Sequence, residues 1–483
     1  MDIKRILVLL LLPLCAATAK AQGEEKAESE NDGHYIKVER LYRFRLTLTD
    51  KKGNGYSLSR PQDFLSAKAI ARRGRYGLKV DERDLPLTPA YLGKLAAKGL
   101  KVCAKSKWNN TVVVETADSA KAAAAVAMPF VRESRCVWVG PDSVWATADG
   151  KPVSPTVENR ASFIEPDSTA ADTLPDFYGA GASQVRQLAL QKLHERGLHG
   201  EGVTIAVLDG GFLNTDLVPG LRGAAILGTR NFVRPAESVY AEQRHGTMVL
   251  STIAANTPHR FVGTAPAAKF YLLVSEDGES EQEVEEDYWV AALEYADSLG
   301  ADIATSSLGY TAYDHTWMNR KYAALDGRSA LVSRSAALAA SRGMLVVNSA
   351  GNEGMDSWKK ISAPADAADI LTVGAVDCDG KNVPFSSIGN TADGRVKPDV
   401  MAQGLETAVY CPDGTLDVAN GTSFSCPIMC GAAACLVQAF PSARPETLIR
   451  VLQQSADNAA HPDNIYGYGI PDLEKAYKAL GGK

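Results

Sequence analysis

Val203-Thr204-Ile205-Ala206-Val207-Leu208-Asp209-Gly210-Gly211 is a nearly unbroken apolar run closed by an acid and two glycines. A strand with one solvated face alternates apolar and polar residues. A short continuous apolar run closed by glycines instead reads as a strand covered on both faces. Working outward, Lys269 to Val274, Asp302 to Ser306, Met344 to Asn348 and Ile370 to Val376 repeat the pattern, with helical stretches between them. This alternation from residue 183 to the end predicts an α/β domain: a mainly parallel sheet with helices on both faces. Ligands of such sheets sit at the carboxyl ends of the strands, so the residues just past each run carry the chemistry.

The whole chain has 483 residues, 51 Lys/Arg against 57 Asp/Glu, a net charge of −6 and a pI near 5.8. A hydrophobic fraction of 45% and a charged fraction of 22% exclude a disordered chain, a collagen-like repeat and a disulfide-dense miniprotein. The acidic balance argues against nucleic acid as a partner. Lys4 and Arg5, the apolar run Ile6 to Leu14 and Ala19-Lys20-Ala21 form a cleavable export signal over residues 1–21. A lipid anchor on Cys15 is the rival, disfavoured by the bulky Leu14 before it. The run is too short to span a bilayer, and no later stretch reaches 18 consecutive apolar residues, so no transmembrane segment is expected. Seven cysteines remain after residue 21, an odd and sparse set that implies no disulfide framework. Cys426, Cys430 and Cys435 lack nearby His or acidic partners and read as small side chains on a packed helix rather than metal ligands.

Residues 35–140 form a second pattern. Tyr42, Phe44, Leu46 and Leu48 alternate with Arg43, Arg45, Thr47 and Thr49, as in a half-buried strand. Phe64 to Arg73 and Pro89 to Lys98 read as helices. Leu100 to Lys107 and Thr111 to Glu115 make a hairpin about Asn109-Asn110, Asp118 caps a helix to Ala127, and Arg135 to Val139 is a last strand. The order predicts a small α+β ferredoxin-like sandwich. Residues 141–182, rich in Pro, Ser, Thr, Asp and Ala, have the composition of an exposed, cleavable linker.

Three residues at strand or helix ends stand out. Asp209 closes the first run, His245 opens His245-Gly246-Thr247 before an apolar helix, and Ser423 lies in Gly421-Thr422-Ser423-Phe424-Ser425-Cys426-Pro427. Each alone has a structural reading: a helix cap, a structural imidazole, an N-cap hydroxyl. Together they supply the nucleophile, the base and the orienting carboxylate of acyl transfer. Asn352, in Ser349-Ala350-Gly351-Asn352-Glu353-Gly354, offers an amide donor for a developing oxyanion beside the Ser423 N–H.

From residue 183 onward the chain resembles a bacterial subtilase, a subtilisin-like serine protease. The resemblance rests on Asp209-Gly210-Gly211, His245-Gly246-Thr247, Ser307-Leu308-Gly309, Gly351-Asn352, Gly421-Thr422-Ser423 with Pro427, Lys397-Pro398-Asp399 and Gly467-Tyr468-Gly469. It implies a triad of Asp209, His245 and Ser423, with Asn352 as oxyanion donor. It also implies that Ser307, Leu308 and Gly309, with Ser349, Ala350 and Gly351, line the pocket for the residue before the scissile bond and pair with an extended polypeptide substrate. No cofactor is implied for the chemistry. Two departures are visible: Gly210 replaces a hydroxyl residue common after the Asp, and Met248 stands where many members have a second His. The first domain resembles the inhibitory pro-segment of such proteases, an intramolecular inhibitor. A non-catalytic scaffold on a retired fold is the chief rival. An α/β-hydrolase esterase is the second, though Gly421-Thr422-Ser423-Phe424-Ser425 lacks the second glycine of its motif.

The mild net charge is an average. Residues 35–150 carry 21 Lys/Arg and 11 Asp/Glu, net +10, while residues 151–483 carry 26 and 40, net −14. Such complementarity predicts that the basic domain docks on the acidic one. The densest acidic run, Glu276 to Asp287, has eight carboxylates in twelve residues. Its last members read as a helix N-terminus. The resemblance instead places the segment beside the cleft that binds residues preceding the scissile bond, and implies a preference for basic residues there. Calcium is a competing use of these carboxylates, and a structural calcium stays open, but the spacing matches no EF-hand loop.

Overall fold

The computed structural model describes residues 34–146, 174–241 and 243–483. The export signal and most of the linker therefore lie outside the described residues. Two short strands, His34–Lys37 and Ser143–Ala146, pair antiparallel as a small unit of their own, so the linker composition extends over residues that form a strand.

The first domain runs β1 (Tyr42–Leu48), α1 (Ala67–Arg75), α2 (Pro89–Ala97), β2 (Lys101–Ser106), β3 (Thr111–Thr116), α3 (Ser119–Ala123) and β4 (Val131–Val139). Its sheet has the order β2-β3-β1-β4, all antiparallel, which is the expected ferredoxin-like arrangement. The first helix starts later than its sequence suggests. Pro61–Asp63 is a single 3₁₀ turn, and the α-helix begins only after Ser66, whose hydroxyl accepts the Ala69 N–H at 3.1 Å. Phe44, Leu46 and Leu48 pack with Leu95, Val112 and Val114 into the core of this domain. The opposite face corrects the half-buried reading: Arg45 and Thr47 are buried too.

The second domain is built on seven parallel strands: β5 (Thr204–Asp209), β6 (Ala225–Asn231), β7 (Lys269–Val274), β8 (Ile303–Ser306), β9 (Leu345–Ser349), β10 (Leu371–Val376) and β11 (Val400–Gln403), in the order β11-β10-β9-β8-β5-β7-β6. Its main helices are α4 (His245–Ala254), α5 (Val284–Leu299), α6 (Leu331–Ser341), α7 (Thr422–Ala439) and α8 (Pro445–Ser455). Successive residues of β5 face opposite ways. Ile205 and Val207 join a core with α4 and α7, while Ala206 and Leu208 join another with α5 and α6. That double coverage is why the run is apolar throughout. Helix α7 is long and apolar enough by composition to cross a membrane, but 89% of it is buried inside the protein, so its apolarity is that of a core helix. After β7 the chain crosses to the other side of β5, which places the ends of β5, β7 and β8 at the switch point where such sheets bind ligands.

Candidate active site

Asp209 is the last residue of β5 and is completely buried. Its Oδ1 lies 2.8 Å from His245 Nδ1 and also accepts the Gly210 N–H at 2.8 Å. His245 is held there by the two residues after it. Gly246 donates its N–H to the Gly211 carbonyl at 2.9 Å, and a Cβ at 246 would lie 2.3 Å from that oxygen, so only glycine allows the approach. Thr247 donates its hydroxyl to the Leu213 carbonyl at 2.7 Å. Burial lowers the His245 pKa, but the charge and hydrogen bond of Asp209, with Glu276 beyond, outweigh it and raise the pKa above the ordinary imidazole value.

Ser423 sits in the first turn of α7, and the His245 ring packs 5.9 Å from the ring of the next residue, Phe424. Pro427 lies four residues on, inside the helix. It has no N–H, so the carbonyl of Ser423 loses its helical donor. Ser307, just past β8, supplies the replacement: its hydroxyl donates to that carbonyl at 2.8 Å. Asn352 follows β9. Its side-chain oxygen accepts both the N–H and the hydroxyl of Thr422, each at 2.9 Å. The Asn352 amide nitrogen is thereby turned toward the helix start, 3.6 Å from where a Cβ on Gly421 would stand. Asp209, His245, Ser423 and Asn352 come together from four separate elements.

The other residues expected at the site divide by their backbone bonds. Ala350 donates to Val373 and its carbonyl accepts from Ser362, while Gly351 donates to the Thr422 hydroxyl and its carbonyl accepts from Ser387. Their main-chain groups are engaged within the fold. Leu308 uses its carbonyl to accept from the Asn348 side-chain amide at 3.2 Å. Sequence reasoning missed Thr422 as the orienter of Asn352 and Gln243 as the answer to Gly210. A Cβ on Gly210 would meet Gln243 Oε1 at 2.4 Å, so the Gln243 amide takes the space where a hydroxyl side chain is expected. Met248 is partly buried against the α4–α7 core.

The polar face of the first domain docks on the second, chiefly on α5. Arg45 makes a two-pronged contact with Asp287 (2.8 and 2.6 Å) and reaches Glu283 at 3.0 Å; Arg43 donates to the Tyr288 hydroxyl at 2.6 Å. Glu294 caps the β2–β3 turn, accepting Ser106 Oγ at 2.5 Å, Lys107 N at 2.8 Å and Trp108 N at 3.0 Å. From α1, Arg72 and Arg73 both bind Asp297, and Lys68 binds Asp302 at 2.7 Å. Burial pushes the Asp297 carboxyl up, but the two arginines outweigh it and hold it below the usual range. The charge split of the sequence is thus spent in direct pairs across this contact. Cys426, Cys430 and Cys435 are buried within α7, as free thiols.

Comparison with known proteins fits this geometry. The model of the subtilase family matches residues 200–469, more than half of the chain, and that of the peptidase S8 propeptide domain of Bacteroidota matches residues 43–147. The alkaline protease of Shouchella clausii is 32% identical over 319 residues, covering 65% of this chain and 73% of the relative. Subtilisin BL of Lederbergia lenta is 32% identical over 284 residues, 59% of this chain and 93% of its own. Subtilisin E of Bacillus subtilis is 30% identical over 332 residues, 67% and 77% of the two chains. The chain belongs to the subtilase family and is a subtilisin-like serine endopeptidase with an N-terminal propeptide domain.

Proposed function

We propose that the protein is a secreted endopeptidase made as a self-inhibited precursor, working through Asp209, His245 and Ser423 with Asn352 as oxyanion donor. The observation that carries this reading is the 2.8 Å contact of His245 Nδ1 with buried Asp209, at the mouth of the helix that bears Ser423. In this mechanism Asp209 accepts the Nδ1–H and fixes the tautomer, leaving Nε2 to take the Ser423 proton as Oγ attacks the peptide carbonyl. The oxyanion is met by the Asn352 amide and the Ser423 N–H. His245 then returns the proton to the leaving amine, and water, activated by the same imidazole, releases the acyl group. Every proton has a side chain to carry it, and no cofactor takes part in the reading.

The residues before the scissile bond pair with Ser307, Leu308 and Gly309, and Ser349, Ala350 and Gly351 wall the first pocket. Residues 1–21 direct export and are removed. Residues 35–140 inhibit the domain of residues 183–483 until the linker of residues 141–182 is cut. The buried pairs of Arg45 with Asp287 and of Arg73 with Asp297 support that inhibition, because they fix one docked register. Expression of wild type and Ser423→Ala, with N-terminal sequencing and a casein assay, tests the reading. Wild type should begin within residues 141–182 and digest casein, while the variant keeps its first domain and is inactive. Trimming of the variant at the same bond would exclude self-processing, and casein hydrolysis by it would exclude Ser423 as nucleophile.

A further inference from the structure

Where the first domain meets the second beside α5, the two walls bound a cavity of about 620 Å³. Arg45, Arg132 and Arg135 line it from the first domain, and Arg320, Lys321 and Arg334 from the second. Three carboxylates, of Glu133, Glu283 and Glu286, share the lining. They do not match the cations one for one. Glu283 is taken by Arg45 at 3.0 Å and Arg135 at 2.7 Å, Glu286 by Arg320, and Arg45 also holds Asp287. Among the described residues Arg132, Lys321 and Arg334 pair with no carboxylate, while the Glu133 carboxylate meets only the Thr47 hydroxyl, at 3.5 Å. Six cations against these three carboxylates and Asp287 leave a surplus of two positive charges. Arg132 and Lys321 are exposed, so the cavity is open to solvent.

The guanidinium of Arg334 is fixed in position while its charge is left over. Its Nε donates to Asn109 Oδ1 at 2.8 Å and its Nη1 to the Ser329 carbonyl at 3.0 Å, so both domains grip it. Asn109 is itself held by Ser335 Oγ at 2.8 Å and Ser106 Oγ at 3.0 Å. Neither contact of Arg334 uses Nη2. Arg320 has spare capacity of the same kind: it meets Glu286 through Nη2, and its Nε is buried with no hydrogen-bond partner. Desolvation, and after it the like charge of Arg45, lowers the Arg334 pKa although Glu286 and Asp287 pull the other way. Buried donors are normally satisfied, so an N–H without an acceptor beside a pinned cation without a counter-charge marks a place for an anion.

The chemistry of the lining selects the anion. Guanidinium groups present forked N–H pairs that fit the oxygens of phosphate and sulfate groups. A recess walled by one sign of charge also concentrates the field on whatever enters it. A volume of about 620 Å³ lies in the range of small-molecule sites and leaves room for more than one such group. We propose that this cavity binds a small multivalent oxyanion, a ligand bearing phosphate or sulfate groups, bridging Arg132 of the first domain to Lys321 and Arg334 of the second. Because its walls belong to different domains, the site exists only while they are docked, and its ligand fastens the first domain in place. The site is separate from the chemistry at Ser423 and does not depend on it.

The test uses the intact Ser423→Ala chain, titrated calorimetrically with pyrophosphate and with a disulfated disaccharide at constant ionic strength. One ligand per chain is expected from at least one of the two, and the one that binds separates a phosphate source from a sulfate source. Arg334→Gln, and separately Arg132→Gln combined with Lys321→Gln, should weaken binding by roughly ten-fold or more. Lys105→Gln, at an exposed lysine of the first domain outside the cavity, should bind as the unsubstituted chain does. With ligand at about 100 times its Kd, the docked form should gain about 100-fold over the undocked one. That gain is read as a rise in the urea midpoint, each variant being compared with its own ligand-free midpoint. Arg334→Gln also removes the bond to Asn109, so the double variant, whose two side chains bond to nothing among the described residues, separates loss of the site from loss of docking. Binding of neither ligand overturns the proposal. So does full affinity in the double variant, or loose binding of several ligands per chain that falls equally in Lys105→Gln.

Discussion

Replacing Arg45 by Met separates charge from volume at the centre of the docked first domain. Asp287 is buried, its side chain 4% exposed, and both its oxygens bond to Arg45. Glu283 keeps a second partner in Arg135 at 2.7 Å, so the loss falls mainly on Asp287. Breaking a buried pair from one side costs about 3–5 kcal/mol, because the remaining charge is stranded in the interior. At about 1–3 kcal/mol per molar urea, this lowers the undocking midpoint by roughly 1 M or more. The assay is urea unfolding of intact Ser423→Ala precursor with and without Arg45→Met. The further change Asp287→Leu should recover most of the loss, since it removes the stranded charge. Asp287 is already pushed above the usual carboxylate range by burial, despite Arg45. Its protonation is therefore easier once Arg45 is gone, and the penalty should shrink as pH falls from 8 toward 5. A penalty below about 1 kcal/mol, as for an exposed pair, or no recovery in the double variant, would refute the argument.

Four further outcomes follow from the same structure. Ser307→Ala strands the Ser423 carbonyl that Pro427 cannot serve; a loss of about 1–3 kcal/mol with reduced kcat is expected, and Ser307→Thr should restore both in urea unfolding and peptide assays. Asn352→Ala should lower kcat by about 10²–10³ with little change in KM, and an unaltered kcat would remove it from the oxyanion site. Glu276→Gln removes a negative charge that favours the His245 imidazolium. Since only neutral imidazole acts as base, the acid limb of kcat/KM for a neutral peptide should move to lower pH; an upward or absent shift contradicts this. Gly210→Ser drives its Cβ against Gln243 and should destabilise by about 1–3 kcal/mol in thermal unfolding, relieved by adding Gln243→Ala.

The strands that carry the site are legible because β5 and its neighbours are covered on both faces and read as unbroken apolar runs. The sheet edges are not. β6 alternates exposed and half-buried residues, and β11 is only four residues long, so neither stands out from a loop. The four residues proposed for the site stand out in sequence through the company they keep, Gly246 and Thr247 after His245 being needed to hold the helix against the Asp209 loop. Local signals also exist for some of what was missed. Pro427 announces an orphaned carbonyl at Ser423, although which hydroxyl answers it depends on the fold. The buried face of β1 is the clearest failure of pattern reading. Arg43 and Arg45 look like a solvated stripe, and only the opposite charge excess elsewhere in the chain hints that a partner covers them. The acidic run likewise shows its charge in sequence, but not which carboxylates find arginines and which remain unpaired.

The central claim is that Ser423 is the nucleophile activated by His245 and Asp209. It is tested most directly by titrating mature enzyme with a serine-directed phosphonate and mapping the adduct by mass spectrometry. The account predicts one label per molecule, on Ser423, formed in step with loss of peptidase activity and abolished by His245→Ala. A label on another residue, or full proteolysis by enzyme that takes up no label, would contradict it.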